Sequence, residues 1–208
     1  MTIPTTPTTP ERPTTPQNAS QVEDLVLLEQ AGQELDLLFF WGHRSPRGGG
    51  RSVGTGCLSQ WWPSAFTVNG VRYPTAEHFM MERKARLFGD LVAARGVLAT
   101  SDPAAAKKHG RQVRGFDETV WNEHCFDIVV QGNAAKFSQH PSLRNYLFGT
   151  GDRILVEASP LDRVWGIGLA ADDNRAHRPS AWPGRNLLGF ALMRVRAMLR
   201  DAASHDST

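Results

Sequence analysis

Residues 73–87 restrict the possible folds of this chain more than any other stretch. They read Tyr-Pro-Thr-Ala-Glu-His-Phe-Met-Met-Glu-Arg-Lys-Ala-Arg-Leu. Pro74 disfavours helical geometry in the residue before it, and the hydroxyl of Thr75 can accept a hydrogen bond from the free amides of a first helical turn. We therefore predict a helix that begins at Ala76.

Two charged residues share one face of this predicted helix. Lys84 follows Glu77 after seven steps of about 100° each, which returns it to nearly the same direction about 10 Å along the axis. The simplest interpretation is a dipole partner near the helix start and a solvated lysine. Apolar neighbours such as Phe79 and Met80 instead favour a sheltered pair, and the pKa values of sheltered charges shift.

Length and charge limit the classes of function. A chain of 208 residues, 40% hydrophobic and 21% charged, is sufficient for one globular domain with a sizeable core. The formal charge of +2, from 23 basic and 21 acidic residues, is too balanced to indicate nucleic-acid binding by charge alone. Small charged ligands remain compatible with this composition.

The cysteine, histidine and hydropathy patterns predict no special chemistry or membrane segment. Cys57 and Cys125 lie far apart and outside any Cys-x-x-Cys spacing, and the seven histidines show no His-x-x-x-His pair. We expect no metal, no disulfide and a reducing cytoplasmic location. No apolar run approaches 18 residues and the N-terminus has no apolar core, so we expect neither a membrane span nor a secretory signal.

The chain divides into one domain and two tails. Residues 1–18 repeat Thr-Thr-Pro and have almost nothing to bury, so we predict a disordered tail there, a domain over residues 19–200 and a second disordered tail over 201–208. Within the domain, helical periodicity and capping residues predict helices over residues 20–31, 76–87, 91–99, 103–114, 117–137, 141–148 and 186–199, strands over 35–41 and 154–158, and a hairpin turn at Asn69-Gly70.

Two groups of basic residues have ordinary interpretations. The loop over residues 42–56 contains six glycines together with Arg44 and Arg51, but no Walker-type phosphate motif. We interpret it as a flexible surface loop, with phosphate binding by Arg44 and Arg51 as the weaker alternative. The basic residues between Lys107 and Arg114 are interpreted as a solvated face.

Several aromatic and polar residues have both a structural and a binding interpretation. Trp121 lies on an apolar helical stripe, which is typical of core packing. Trp165 precedes Gly166 and Gly168, an arrangement found at chain corners and also where an open backbone holds a flat heterocycle. Asn186 can cap the last helix or donate to a sugar hydroxyl.

Six short motifs in this order resemble the NADAR family, also called the YbiA-like family, over about residues 35–200. They are Phe39-Phe40-Trp41-Gly42, the Leu-Ser-Gln-Trp-Trp-Pro run of residues 58–63, the Tyr-Pro-Thr-Ala-Glu-His-Phe run of residues 73–79, Lys84-Ala85, Trp165-Gly166-Ile167-Gly168 and the Asn-Leu-Leu-Gly-Phe run of residues 186–190.

The resemblance implies a compact, mainly α domain with a few short β-strands (α+β) and an enzyme without a cofactor. The implied reaction is hydrolysis of an N-glycosidic bond, either in a riboflavin-pathway aminopyrimidine carrying ribose 5-phosphate or in ADP-ribose attached to guanine. Nucleic acid is then a partner only as a modified substrate, and no membrane is involved. The implied catalytic residues are Glu77 and Lys84, and the implied substrate-binding residues are Trp41, Trp121, Trp165, Gly166, Gly168, Asp172 and Asn186.

The chain also departs from the family pattern. Ile167 stands where members of the riboflavin-linked type often carry Asp, and Asp172 or Asp173 is a candidate replacement. Trp41 stands where Tyr is common and Gln60 where Asn is common. These changes bear on the substrate more than on the reaction class.

The chemistry of a glycosidic carbon defines roles for the implied residues. Breaking the bond builds positive charge on the sugar and negative charge on the base, so a carboxylate near C1′ and a proton donor near the base lower the barrier. Glu77 suits the carboxylate role. Lys84 can donate a proton, hold phosphate or attack C1′. The rival hypothesis is a non-catalytic ADP-ribose or nucleotide-binding module, which binds without releasing a base.

Overall fold

The computed structural model describes residues 15–43 and 53–205 as one mainly helical domain with two small sheets. Its helices are α1 (Val22–Gln30), α2 (Ala76–Leu87), α3 (Leu91–Leu98), α4 (Pro103–Arg111), α5 (Glu118–Gln139), α6 (Pro141–Gly149) and α7 (Leu187–His205). Its strands are β1 (Leu37–Phe40), β2 (Phe66–Val68), β3 (Val71–Tyr73) and β4 (Ile154–Glu157). The predicted mainly α fold with a few short strands is confirmed.

Short polar side chains begin three of the helices as predicted. Thr75 accepts a hydrogen bond from the backbone N–H of His78 at the start of α2. Asp102 and Asp117 do the same for Ala104 in α4 and Val120 in α5. Each bond satisfies a backbone donor that the helix itself leaves free, which fixes where the helix begins.

The two sheets each consist of one strand pair. β2 and β3 form an antiparallel hairpin whose turn residues Asn69 and Gly70 both have positive φ, as an Asn-Gly turn requires. β1 and β4 pair in parallel, with Phe40 opposite Glu157 at their carboxyl ends. Most of the chain lies between these two strands.

The helices pack around α2 and α5. α2 contacts α3, α4 and α5, while α7 packs on both α5 and β4. The core between them includes Phe137, Leu147, Leu155 and Leu188, all buried. Since α2 is covered on several sides, its polar residues Glu77, His78 and Glu82 are buried as well.

Most of the two predicted tails, residues 1–14 and 206–208, lies outside the described residues, and the parts that are described, 15–18 and 201–205, have mostly regular structure. Pro16–Asn18 form a short 3-10 helix, and α7 continues to His205, so residues 201–205 are helical. α1 begins after Gln21 and not at Ser20, because the Asp24 carboxylate accepts hydrogen bonds from the backbone of both residues. Within the described part of the chain, no helix combines the length and apolar character that a membrane crossing needs.

Candidate active site

A cleft of about 420 Å³ opens where α2, α4, α5 and the segment after β4 meet. Glu77, Lys84, Trp121 and Trp165 all line it. The helical spacing that placed Glu77 and Lys84 on one face therefore brings both to the same cavity, together with the two tryptophans. Further lining residues are Ser59, Gln60, Trp61, Met80, Met81, Lys107, Gly110, Arg111, Glu157, Leu161, Asp162, Arg163, Val164 and Leu188.

Glu77 is a buried carboxyl group with unused hydrogen-bonding capacity. Its side chain is 2% exposed, and its Oε1 atom has no hydrogen-bond partner among the described residues. Burial raises the pKa of Glu77 to about 7, against the opposing effects of Lys107 and of a hydrogen bond from the Trp61 side chain. A carboxyl group with a pKa near neutrality can change its protonation state during a reaction at physiological pH.

Lys84 lies over aromatic rings and has no carboxylate beside it. Its Nζ atom lies 4.0 Å from the centre of the Phe116 ring and 5.3 Å from that of Trp121. Among the residues that the structure covers, Lys84 forms no ion pair. Partial burial lowers the pKa of Lys84, which raises the fraction of neutral, nucleophilic amine.

Side chains of α5 form hydrogen bonds with the wall of the cleft beside Glu77. Lys136, fully buried, donates from Nζ to the carbonyls of Cys57 and Ser59 at 2.6 and 2.9 Å. Burial lowers the pKa of Lys136 to about 7. Asn133 donates to the side chain of Gln60 at 2.8 Å, and the Gln60 carbonyl accepts from the Glu77 amide at 3.0 Å. This chain of hydrogen bonds fixes the first turn of α2.

Hydrogen bonds to both the amide and the carbonyl group of Trp165 position this residue. The Asp162 carboxylate accepts from the amides of Val164 and Trp165 at 2.9 and 2.8 Å, which sets the turn before the indole. The Trp165 carbonyl then accepts from the amide of Leu188 in α7 at 3.1 Å. These hydrogen bonds set the backbone conformation of the residue that carries the indole ring.

The glycines after Trp165 have neighbours within the protein. A Cβ atom on Gly166 would lie 2.8 Å from the carbonyl oxygen of Glu157, and Gly168 has φ of +72°. Gly166 thus allows β4 to pack closely against it, and Gly168 allows a left-handed backbone conformation. The expected approach of a ligand to this backbone does not explain either glycine.

Asn186 serves the fold of the site instead of opening into the cleft. It is fully buried with φ of +52°, its Oδ1 accepts from the Glu157 amide at 2.9 Å and its Nδ2 donates to the Leu155 carbonyl at 2.9 Å. Both polar atoms of the side chain are therefore engaged by the β4 backbone. The expected cap or sugar contact is replaced by a role in holding the end of β4.

Two other predicted contacts, Trp41 and Asp172, are not among the described residues that line the cleft. Trp41 is 60% exposed and is absent from the described residues that line the cavity, because β1 ends one residue before it. Asp172 is exposed and likewise outside that set, so it does not replace the carboxylate missing at Ile167. Arg44 and Arg51, the weak phosphate candidates, lie outside the described residues.

Among the cleft residues that the sequence did not predict are four charged ones that bear on its chemistry. Lys107 and Arg111, interpreted as a solvated face, line it beside Arg163. Their spacing of four residues on α4 was a usable signal, but nothing local showed which way that face of the helix points. The fourth is Glu157, whose Oε2 atom is buried without a hydrogen-bond partner in the described chain.

Glu157 is the second titratable carboxyl group of the cavity. Burial raises the pKa of Glu157 to about 8, and the neighbouring carboxyl groups of Asp162 and Glu77 add to the rise. Its place at the carboxyl end of a predicted strand was visible in the sequence. The pairing of β1 with β4 that brings this end to the cleft was not.

Comparisons with known proteins show which proteins this chain resembles. The NADAR domain model matches residues 39–200. An N-glycosidase of Acanthamoeba polyphaga mimivirus is 45% identical over 149 residues, which cover 69% of this chain and 88% of that protein. A riboflavin biosynthesis protein of Vibrio vulnificus is 30% identical over 151 residues, covering 73% of this chain and 37% of that longer protein. The NMR structure of the Escherichia coli protein YbiA has a TM-score of 0.61 at 25% identity and covers 81% of this chain and 88% of its own.

Proposed function

The chain belongs to the NADAR family, and on that premise we propose that its cleft hydrolyses the N-glycosidic bond between a ribose and a nitrogen base. It is then a hydrolase acting on N-glycosyl bonds, as the mimiviral relative is named. The observation that carries the proposal is the shared cavity of Glu77, Lys84, Trp121 and Trp165. A buried carboxyl group with a raised pKa is typical of active sites, which favours catalysis over nucleotide binding alone.

The charges of the cleft favour an anionic substrate. Four basic residues line it, Lys84, Lys107, Arg111 and Arg163. Of the three acidic residues in the lining, Glu77, Glu157 and Asp162, Glu157 is neutral below its raised pKa, so cations outnumber carboxylates. Arg and Lys side chains bind phosphate oxygens through charge-assisted hydrogen bonds. We therefore assign Lys107, Arg111 and Arg163 to the phosphate groups of the substrate. Both ribose 5-phosphate compounds and ADP-ribose meet this requirement.

Each remaining residue has one proposed task. Trp121 and Trp165 stack against the base or the sugar, since indole faces suit flat heterocycles. Lys84 attacks C1′ through its neutral amine. The C1′–O4′ bond of the ribose ring then breaks, O4′ takes the remaining Nζ proton, and an imine between Nζ and C1′ is left. Glu77 stabilises the positive charge on the sugar and takes a proton from the water that hydrolyses the imine. Glu77 passes that proton to Nζ. The C1′–Nζ bond then breaks as Nζ takes the proton of the new hydroxyl group, which frees the lysine amine and releases the sugar as an aldehyde.

A panel of N-glycosides tests the reaction class and the substrate. The panel contains the riboflavin-pathway aminopyrimidine ribose 5-phosphate, guanine-ADP-ribosylated DNA and NAD, with the freed base detected by mass spectrometry. We expect base release from at least one phosphate-bearing compound. The same compound lacking phosphate should react at least tenfold more slowly at limiting concentration, as expected when about 1.4 kcal/mol of binding is lost. Binding of a panel member without any freed base would support the nucleotide-binding rival.

Reductive trapping tests the attack by Lys84. Borohydride added during turnover is expected to convert the imine into a stable sugar adduct on the peptide that contains Lys84. Lys84→Arg keeps the positive charge but cannot form the imine, so it serves as the matched control and should give no adduct. Turnover at the normal rate with no trapped Lys84 would restrict this residue to an electrostatic role.

The location of the protein is a separate proposal. Cys57 and Cys125 are both free thiols. We propose a cytoplasmic location, where the reducing environment keeps such thiols from forming disulfides.

A further inference from the structure

Glu157 stands beside the reacting groups without a task in the mechanism above, on which the following inference rests. It lines the same cleft as Glu77 and Lys84, and its Oε2 atom is buried with no hydrogen-bond partner among the described residues. A buried polar atom without a partner carries a free-energy cost, which is commonly tolerated where a ligand supplies the partner. The cavity beside Glu157 offers room for such a ligand.

Hydrogen bonds fix the backbone of Glu157 at both its amide and its carbonyl group. Its amide donates to Asn186 Oδ1 at 2.9 Å, and its carbonyl accepts from the amides of Ser159 and Ile167, both at 2.9 Å. It also ends β4, directly opposite Phe40 of β1. The carboxyl ends of parallel strands are where α/β sites place reactive groups, because the chain leaves the sheet there.

We propose that Glu157 is the general acid of the reaction, donating a proton to the nitrogen of the departing base, and that Asn186 is its positioning residue. As the C1′–N bond breaks, its electron pair goes to the base nitrogen, which takes the proton of the Glu157 carboxyl group. The lone pair of Lys84 Nζ forms the new bond to C1′. The resulting ammonium loses one proton to the Glu157 carboxylate, which restores the acid.

The surroundings keep Glu157 protonated while Glu77 is ionised. The charged groups that face it are Asp162 from the following loop, Lys107 from α4 and Glu77 from α2. β1 and α7 contribute Phe40 and Asn186, which do not titrate. Burial raises the pKa of both glutamic acids, and a charged Glu77 raises that of Glu157 further. Because like charges in one cavity disfavour each other, ionisation of Glu77 helps to keep the proton on Glu157.

The test compares two leaving groups in one variant. A natural base leaves poorly without a proton, whereas the 4-nitrophenolate of a 4-nitrophenyl riboside 5-phosphate leaves as a stable anion. Glu157→Gln is expected to reduce kcat about 100- to 1,000-fold on the natural substrate, which is the usual contribution of general acid catalysis. The loss on the nitrophenyl compound should stay below about fivefold. Because both rates come from one preparation, partial misfolding lowers them equally and cannot produce the difference.

The wild-type protein gives a second measurement that needs no variant. Its kcat on the natural substrate should fall as pH rises through about 8, where Glu157 loses its proton, and this fall should be absent with the nitrophenyl compound. Equal losses on both substrates in Glu157→Gln, wild-type rates in that variant, or the same alkaline fall for both compounds would overturn the assignment. An inactive wild-type protein would instead overturn the proposed function itself.

Asn186 has its own readout. Asn186→Asp keeps the shape of the side chain but loses the amide donor to the Leu155 carbonyl. If Asn186 acts through Glu157, this variant should show a shifted alkaline limb and a larger loss in kcat on the natural substrate than on the nitrophenyl compound. An equal loss on both compounds with an unchanged pH profile would leave Asn186 a purely structural residue.

Discussion

Glu77→Gln is expected to lower kcat by about a thousandfold while the affinity for substrate changes by less than about threefold. The amide keeps the size of the side chain, so the cleft keeps its shape. It cannot carry the negative charge that stabilises the sugar cation, and it cannot accept a proton from water. A thousandfold loss corresponds to about 4 kcal/mol of transition-state stabilisation. Single-turnover base release and equilibrium binding measure the two quantities separately.

Glu82→Gln is the matched control for this variant. Glu82 lies on the same helix and is equally buried, but its carboxylate binds the Tyr73 hydroxyl at 3.2 Å and the Arg86 guanidinium, and it does not line the cleft among the described residues. Its substitution should lower the free energy of unfolding and leave kcat within about threefold. Similar kcat losses in both variants would mean that Glu77 acts through the stability of α2 and not through chemistry.

Stability adds an independent check on Glu77. The folded protein holds the proton of the Glu77 carboxyl group more tightly than the unfolded chain does, because burial raises the pKa of Glu77 from its ordinary 4.5 to about 7. The stability that this bound proton gives the wild-type protein is therefore lost as pH rises from about 4.5 through 7. Glu77→Gln cannot ionise, so relative to wild type its melting temperature should improve between pH 5 and pH 8. An identical pH dependence would show that Glu77 is solvated in the folded protein.

Gly189→Ala is expected to destabilise the domain by about 3 kcal/mol and to reduce activity with it. An added Cβ atom would lie 2.0 Å from the Leu155 carbonyl oxygen and 2.4 Å from Asn186 Nδ2. Neither is the free end of a flexible side chain, so α7 must move away from β4. This displacement breaks the bonds that hold the end of β4, including the one between Asn186 and the Glu157 amide. Denaturant titration and kcat on the same sample measure both losses.

Gly149→Ala provides the comparison for that substitution. Gly149 is the last residue of α6, and a Cβ atom built there meets nothing within 4 Å. Alanine favours helices over glycine by up to about 1 kcal/mol, so this variant should be unchanged or slightly more stable. If Gly189→Ala proved equally harmless, the contact between α7 and β4 would have to be looser than the structure shows.

Much of the fold was predictable because its signals are local. The caps at Thr75, Asp102 and Asp117 each lie within a few residues of the helix that they start, and the Asn69-Gly70 turn joins adjacent strands. The α1 start was misplaced by two residues, since Asp24 and Ser20 have side chains that can cap the same turn. Such competition is decided by small energy differences that a pattern does not reveal.

The candidate site was only partly predictable because many of its residues come from elements that are far apart in the sequence. Glu77 and Lys84 share a helix, so their spacing sufficed to place them together. Glu157 and Lys107 reach the cleft from β4 and α4, and no local pattern reports how these elements meet. The sequence suggested that the side chain of Asn186 could bind a ligand. In the structure both of its polar atoms form hydrogen bonds with the backbone of β4.

The parallel pairing of β1 with β4 also bears on how the protein acquires its activity during synthesis. More than half of the chain lies between these two strands in the sequence. Bringing the ends of so long a loop together is slow compared with forming a single helix. A nascent chain can thus form α2, with its glutamate and lysine, well before the ribosome has released the segment that follows β4. Glu157 joins the cleft only after β4 has been synthesised and has paired with β1, so an unfinished chain holds Glu77 and Lys84 without Glu157.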